Sequence, residues 1–350
     1  MLTVKYFGKT IAFKKAIITT LVKAAICLVF WLFPGMTFSQ QITLLNSGTK
    51  ASFRGLSVVT DDIVWVSGSN GTVGHSTNAG KTWQWQTVKG FEKTEFRDIE
   101  AFDSNTAIIM AIAEPAYILR TTDGGKNWET VYENKDKGMF LDAMDFYDNQ
   151  NGIVVGDPVQ NKIFIARTGD GGKTWAASSN SISPPADSGE ACFASSGTNI
   201  RMTGKNDFVM ITGGLSSHLI KTNGRKIKLP LLQGKESTGA NSIAVHKKKL
   251  MIVGGDFNTK DSTYGNFLFS KNGGKKFRTA LNAPTGYRSC IEYLYKNTWI
   301  TCGLNGVDIT NDDGHSFRKI STDGYHVVRK AKTGTRVYLA GGGGRVAIVE

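Results

Sequence analysis

The stretch Thr121-Thr122-Asp123-Gly124-Gly125-Lys126-Asn127-Trp128 decides how the rest of the chain is read. An acid followed by glycine supplies the positive-φ positions of a tight hairpin turn. The hydroxyl and carboxylate ahead of it can bond nearby backbone amides and lock the turn. The closing aromatic opens the next strand and packs between neighbouring sheets. The same pattern runs from Ser76 to Trp83 around Asn78 and from Thr168 to Trp175 around Asp170. It returns from Ser270 to Phe277 around Asn272 and from Thr310 to Phe317 around Asp312. Its aromatic ends are 45, 47, 102 and 40 residues apart, and the widest gap holds a decayed copy, Lys221-Thr222-Asn223-Gly224-Arg225. Asp123 and Trp128, with their counterparts in each copy, are therefore read as structural, because a catalytic site is unique and these turns recur. A calcium loop at Asn311-Asp312-Asp313-Gly314 lacks the distal bidentate Glu.

The text upstream of each copy repeats as well. Phe53-Arg54-Gly55-Leu56 precedes Ile63–Gly68, Phe96-Arg97-Asp98-Ile99 precedes Ala107–Ala111, and Tyr287-Arg288-Ser289-Cys290 precedes Trp299–Gly303. Each unit reads as four short strands, A to D, with the Asp-containing turn between C and D. A period of 40–50 residues with four strands is a β-propeller blade. A-strands starting near Arg54, Arg97, Leu141, Cys192, Ala240, Arg288 and His326 give seven blades. The last blade lacks strand D, and Ile42-Thr43-Leu44-Leu45-Asn46 has the look of the missing one; joining the ends would remove an exposed sheet edge. The fold class is all-β: one seven-bladed propeller over residues 40–350.

Residues 1–39 read as a secretory signal peptide. Lysines are followed by ten consecutive apolar residues, Ala24 to Phe33, and by the small-residue pattern Thr37-Phe38-Ser39. Ten residues are too few to span a bilayer as a helix, which takes about 20. The mature chain is expected to start near Gln40, in the periplasm or outside the cell, with no stable membrane span. Five of the 13 net positive charges, Lys5, Lys9, Lys14, Lys15 and Lys23, lie in this segment. The longest basic run elsewhere is Lys247–Lys249, so no stripe points to nucleic acid. Three cysteines remain, Cys192, Cys290 and Cys302. The last two fall opposite each other across a hairpin centred on Lys296, where a disulfide or two buried thiols both fit.

These turns are Asp-boxes, as in bacterial neuraminidase-type repeats. The register of residues 42–350 resembles the photosystem II stability/assembly factor-like propellers and their bacterial relatives. Gly156-Asp157-Pro158-Val159, Gly189 through Thr198, and Val253-Gly254-Gly255-Asp256 carry that resemblance further. It implies the propeller fold, a role in binding and assembly rather than catalysis, and an arginine-rich patch for peptides.

The Asp-boxes share one rim with the A–B turns, so individuality is expected on the opposite rim. Arg54, Arg97, Arg288 and His326 stand at A-strand starts there, and Glu114, Asp157, Glu190 and Asp256 stand at B-strand ends and in a connection. Converging guanidinium groups suit capture of a carboxylate, from a peptide C-terminus in the cell envelope or an acidic glycan. The alternative for each Arg is a clamp on a neighbouring acid. No cofactor or metal is expected. The five histidines lack ligand spacing, and glycine-rich Gly341–Gly344 leads into a strand rather than a phosphate-binding helix. A monomeric binding module is the expectation. The runner-up is a sialidase-like hydrolase using the three arginines and Tyr287 or Tyr325. Its Phe/Tyr-Arg-Ile-Pro signature is missing, however, and sialidase propellers have six blades.

Overall fold

A computed structural model of the protein describes residues 40–178 and 183–350. The expected signal segment 1–39 lies outside the described residues. From Gln41 onward the chain forms one compact unit. Among the described residues, no helix is long and apolar enough to cross a membrane.

Seven antiparallel sheets follow one another as blades. Blade 1 runs through Phe53–Val58, Val64–Gly68, Thr72–Ser76 and Gln84–Thr87, and blade 2 through Phe96–Ala101, Ala107–Ala111, Ala116–Thr121 and Glu129–Asn134. The A-strands of blades 3 to 7 are Leu141–Phe146, Ile200–Met202, Thr238–His246, Cys290–Tyr295 and Val327–Lys330. Blade 7 takes its outer strand from the start of the chain: Ile42 to Leu45 pair antiparallel with Val349 to Val346. The expected closure is thus present, and it ties the ring with main-chain hydrogen bonds.

Blade 4 departs from the expected start at Cys192, because its A-strand begins eight residues later, at Ile200. Glu190–Ala191 instead pairs with Gly213–Gly214, which joins the sheet of blade 5. The reason is local. The Asp157 carboxylate takes the Cys192 amide and Ser195 N–H bonds back to Phe193 O, so the ladder groups there are already engaged. In blade 5, strand D is reduced to a bridge between Phe269 and Arg278.

Apolar side chains fill the wedges between successive blades. Trp65 and Val73 meet Phe96, Ile99 and Ile109, for example, and Ile108 and Met110 meet Leu141 and Val154. One larger cluster runs through blades 6, 7 and 1, from Cys290 and Val307 through Tyr338 to Phe53, and buries the seam where the ring closes. Burying such side chains contributes about 1.5–3 kcal/mol each.

The Asp-boxes are hydrogen-bonded as their residue types require. Thr121 Oγ1 donates to Asp123 Oδ1 (2.9 Å) and accepts from the Gly125 amide (3.0 Å), while Asn127 N–H donates to Asp123 Oδ1 (3.0 Å). The same set recurs around Asn78, Asp170, Asn272 and Asp312. Burial tends to raise the Asp170 carboxyl, but the hydrogen bonds from Thr174, Thr168 and Lys173 outweigh it and hold the group down at about 2. At Gly172 (φ +72°) an added Cβ would lie 2.1 Å from Ile108 Cδ1, so the turn also needs a glycine to pack on the preceding blade. Each turn is stitched to the A–B turn of its own blade: Gly124 N–H donates to Asn105 O, and Gly171 N–H to Gln150 O.

Cys290 and Cys302 stand directly opposite each other on strands A and B of blade 6. Both are buried free thiols.

Candidate functional site: a cavity at the mouth of the inner strands

Near its start, the inner strand of four blades carries one extra residue. Pairing with strand B slips between Phe53 and Gly55, Phe96 and Asp98, Leu141 and Ala143, and Ala240 and Ser242. The bulged residues are Arg54, Arg97, Asp142 and Asn241. A bulge re-aims its side chain and is common next to functional sites. Here Arg54, Arg97 and Asp142, from three successive blades, line one cavity of about 430 Å³. His326, Ser289 and Asp157 share it, and Phe193, Phe257 and Leu304 give it an apolar side. The rings of Phe193 and Phe257 meet edge to face at 6.0 Å, and Phe257 packs likewise on Tyr287 at 6.3 Å.

Of the eight expected ligand-binding residues, the structure brings four together: Arg54, Arg97, His326 and Asp157. The Arg54 guanidinium reaches across to Ser195 O (3.2 Å) and, among the described residues, makes no ion pair. Burial, and then the like charge of Arg97, holds its pKa below the ordinary value. Arg97 is paired with Glu95 at 2.6 Å, rather than with its sequence neighbours Asp98 or Glu100. His326 is no cation at neutral pH. Burial first and Arg54 second push it down to about 4, with its Nδ1 hydrogen-bonded to Phe53 O (2.9 Å). Asp157 is raised to about 6 by burial, against the Cys192 amide that donates to it at 2.8 Å.

The other four lie elsewhere. Arg288 is fully buried in blade 6, where Nε donates to Asp308 Oδ2 (2.7 Å), Nη2 also meets that oxygen, and Nη1 donates to Asn305 Oδ1 (2.6 Å) and Tyr287 O (2.8 Å). The physical cause is a one-residue register difference. A Cβ added at Gly68, Gly156, Gly254 or Gly303 would strike the carbonyl oxygen of Ser52, Phe140, Gly239 or Tyr287 respectively, which makes those four carbonyls equivalent. Two residues on from each stand Arg54, Asp142, Asn241 and Ser289. Arg288 therefore occupies the position of Phe53, and a slip of one sends a strand side chain to the opposite face.

Glu114 is exposed, with its carboxylate on the Gly138 amide. Asp256 accepts from the Asn258 amide (2.9 Å). Glu190 is locked by Lys226 Nζ (2.6 Å), the His218 ring (3.0 Å) and Thr212 Oγ1 (2.5 Å). Asp187, Glu190 and His218 are close enough to ligate a cation, but the Lys226 ammonium already lies between the two carboxylates.

Sequence reasoning missed Asp142, although the signal was there: it follows Leu141 as Arg54 follows Phe53. It is fully buried, and neither carboxyl oxygen finds a hydrogen-bond donor of ordinary geometry. The amides of Ala194 and Asp157 are nearby, and burial together with the Asp157 charge raises its pKa well above the carboxylate range. Leaving such a group unsatisfied costs about 1–3 kcal/mol.

Further along the same inner strands, Arg201 lies 3.6 Å from Asp145 and 4.0 Å from Glu292, and Arg329 lies 3.5 Å from Glu292. Unlike Arg54, these guanidiniums are compensated. Of the residues named for a sialidase-like site, Arg54, Arg97 and Tyr287 line the cavity, whereas Arg288 and Tyr325 are not among its lining. Arg288 is held by Asp308. Tyr287 donates to Asn241 Oδ1 (2.8 Å) and is pushed by burial up to about 12, and Tyr325 packs beneath the Arg345 guanidinium.

Residues 36–138 match the family model described as Photosynthesis system II assembly factor YCF48. Among solved structures, the chain is similar to YCF48 bound to D1 peptide, at 16% identity and TM-score 0.63 over 90% of this chain and 96% of that one. YCF48 from Cyanidioschyzon merolae gives 15% and 0.64 over 89% and 99%. The Pan2 WD40 domain of Neurospora crassa gives 12% and 0.58 over 90% and 97%. No curated protein matches.

Proposed function

Taking the chain as a photosystem II assembly factor-like Asp-box propeller, we propose that it is an exported, non-catalytic binding module that captures a carboxylate-bearing end of a protein or peptide at the cavity mouth. The observation that carries this reading is Arg54: a largely buried guanidinium, in no ion pair among the described residues, aimed from a bulge into a cavity. Such a group keeps donors to spare for a planar anion, and bidentate pairing of that kind is short and strong. Arg97 beside it adds positive charge, and the Phe193, Phe257 and Leu304 side offers apolar contact to the residues that precede the carboxylate. The solved relative described as bound to D1 peptide supports a peptide as the ligand class. Export rests on the lysine-rich and apolar leader before Gln40.

Calorimetry with peptides bearing a free C-terminal carboxylate, against the same peptides as amides, tests the reading. Amidation should weaken binding about ten- to a hundredfold, and Arg54→Ala should reproduce that loss in a folded protein. Equal binding of acid and amide would overturn it. N-terminal sequencing of the protein recovered from the cell envelope should begin near Gln40.

A further inference from the structure

We infer that the mouth cavity takes a dipolar ligand end: a carboxylate against Arg54 and, within the same one or two residues, an ammonium group against Asp142 and Asp157. This rests on the carboxylate-capture reading above and extends it to the chemistry of the ligand's neighbouring group.

The cavity is divided by charge. Blades 1 and 2 contribute Arg54 and Arg97 from equivalent bulges, whereas blade 3 contributes Asp142 from the third such bulge and Asp157 from the end of its strand B. Among the described residues, the ion pairs use neither Arg54 nor Asp142 nor Asp157; Arg97, the cation nearest the acids, is taken by Glu95 at 2.6 Å. Basic and acidic groups thus line one cavity without pairing with each other. A binding site for a simple anion would gain nothing from two acids beside its arginines. A ligand carrying both signs would satisfy both poles.

Asp142 adds a second, independent observation. It is wholly buried, it lines the cavity, and both of its carboxyl oxygens lack a donor of ordinary geometry. Buried polar groups are almost always satisfied, so an exception asks what completes it. An ammonium brings three donors and a compensating charge in a compact head. The groups facing Asp142 are Asp157, Arg97, the Cys192 thiol and the amides of Ala194 and Asp157, and those facing Asp157 are the Cys192 amide and thiol and Asp142. None of them supplies a spare cation. The volume of about 430 Å³ lies within the range of small-ligand pockets and leaves room for a terminal residue with a long side chain. A peptide ending in lysine and a free amino acid share this chemistry, and the experiment separates them.

Calorimetry would compare an N-acetylated tripeptide ending in lysine with the same peptide ending in norleucine, which has a similar aliphatic side chain and no charge. Both would be measured as acids and as amides, with free lysine as a further arm. We expect the lysine acid to bind at least tenfold tighter than the norleucine acid. Asp142→Asn should reduce that ratio to within twofold by weakening the lysine acid. Asp157→Asn, at a less buried position, serves as the second variant if the first melts early. Because burial favours the protonated Asp142, arrival of the ammonium should also release a proton, seen as a buffer-dependent enthalpy with the lysine peptide only.

Equal affinity of the two acids in the wild type, with both amides weakened, would overturn this inference and leave carboxylate capture standing. Indifference to amidation, or no binding of either acid at millimolar concentration, would overturn carboxylate capture and the inference with it. Free lysine binding as tightly as the peptide assigns the site to a free amino acid; the peptide binding at least tenfold tighter assigns it to a chain end.

Discussion

Arg54 in blade 1 and Arg288 in blade 6 each follow an aromatic residue at the start of an inner strand, and their surroundings are opposite. Arg288 is fully buried, paired with Asp308 and bonded to Asn305, Thr285 and Tyr287 O. Arg54 faces the cavity, donates to Ser195 O and joins no ion pair among the described residues. One residue of register separates a structural guanidinium from a binding one, because the bulge at Arg54 turns its side chain off the core. The sharpest test of this contrast is Arg288→Ala. Removing one partner of a buried pair strands the other charge and costs about 3–5 kcal/mol. A thermal melt should show a large fall in Tm, with a similar fall for Asp308→Ala. A melt unchanged by either variant would mean that the pair is not a clamp.

Arg54→Ala should do the reverse. Its single neutral hydrogen bond is worth about 1 kcal/mol, and relief of an uncompensated buried charge offsets part of that, so the melt should barely move. Affinity for a peptide acid should fall about ten- to a hundredfold, the equivalent of losing charge-assisted bonds worth roughly 1.5–3 kcal/mol. Asp170→Ala, in an Asp-box on the far rim, should leave that affinity unchanged. It should destabilise the protein modestly, by about 0.5–2 kcal/mol, as the loss of a local backbone cap does. A binding loss in Asp170→Ala comparable to that in Arg54→Ala would erase the distinction between the two rims.

The repeats made the architecture legible because each Asp-box residue type has a local role that holds wherever it occurs. Thr121, Asp123 and Gly125 bond within five residues, so their pattern survives in sequence. The cavity is built the other way. Arg54, Arg97, Asp142 and Asp157 come to one cavity only because three blades turn into one ring and three inner-strand bulges aim at its mouth. A bulge leaves little trace in composition, so Arg288 resembled Arg54 in sequence while occupying the place of Phe53. Arg97 and His326 were legible as positions but not as states: Glu95 had already taken the first, and burial had removed the charge of the second. Blade 4 was misplaced for a related reason. Its connection from Glu190 to Asn199 forms a wall of the cavity before the strand begins, and apolar residues such as Cys192 and Phe193 there imitate a strand.

The smallest expected effect bears on the acid pole of the cavity and follows from pH. Asp157, raised to about 6, is ionised at pH 7.5 and protonated at pH 5, while a peptide carboxylate near its ordinary value of about 3.5 stays charged throughout. His326, at about 4, stays neutral through the same window. Protonating Asp157 therefore removes a negative charge from the cavity that Arg54 and Arg97 also line. The affinity for an uncharged-side-chain peptide acid should rise a few-fold as pH falls from 7.5 to 5, and Asp157→Asn should flatten the profile. Stability moves in step. A carboxyl whose folded pKa lies above its unfolded value, about 3.9, stabilises the fold below that value, and the contribution is lost as pH rises through about 6. Melts of the wild type and Asp157→Asn should hence diverge as pH rises, with the variant gaining. Parallel melts, or a binding slope that survives Asp157→Asn, would move the titration to Asp142, the other acid in the cavity, and make the buried bulge rather than the strand end the group that sets the charge at the mouth.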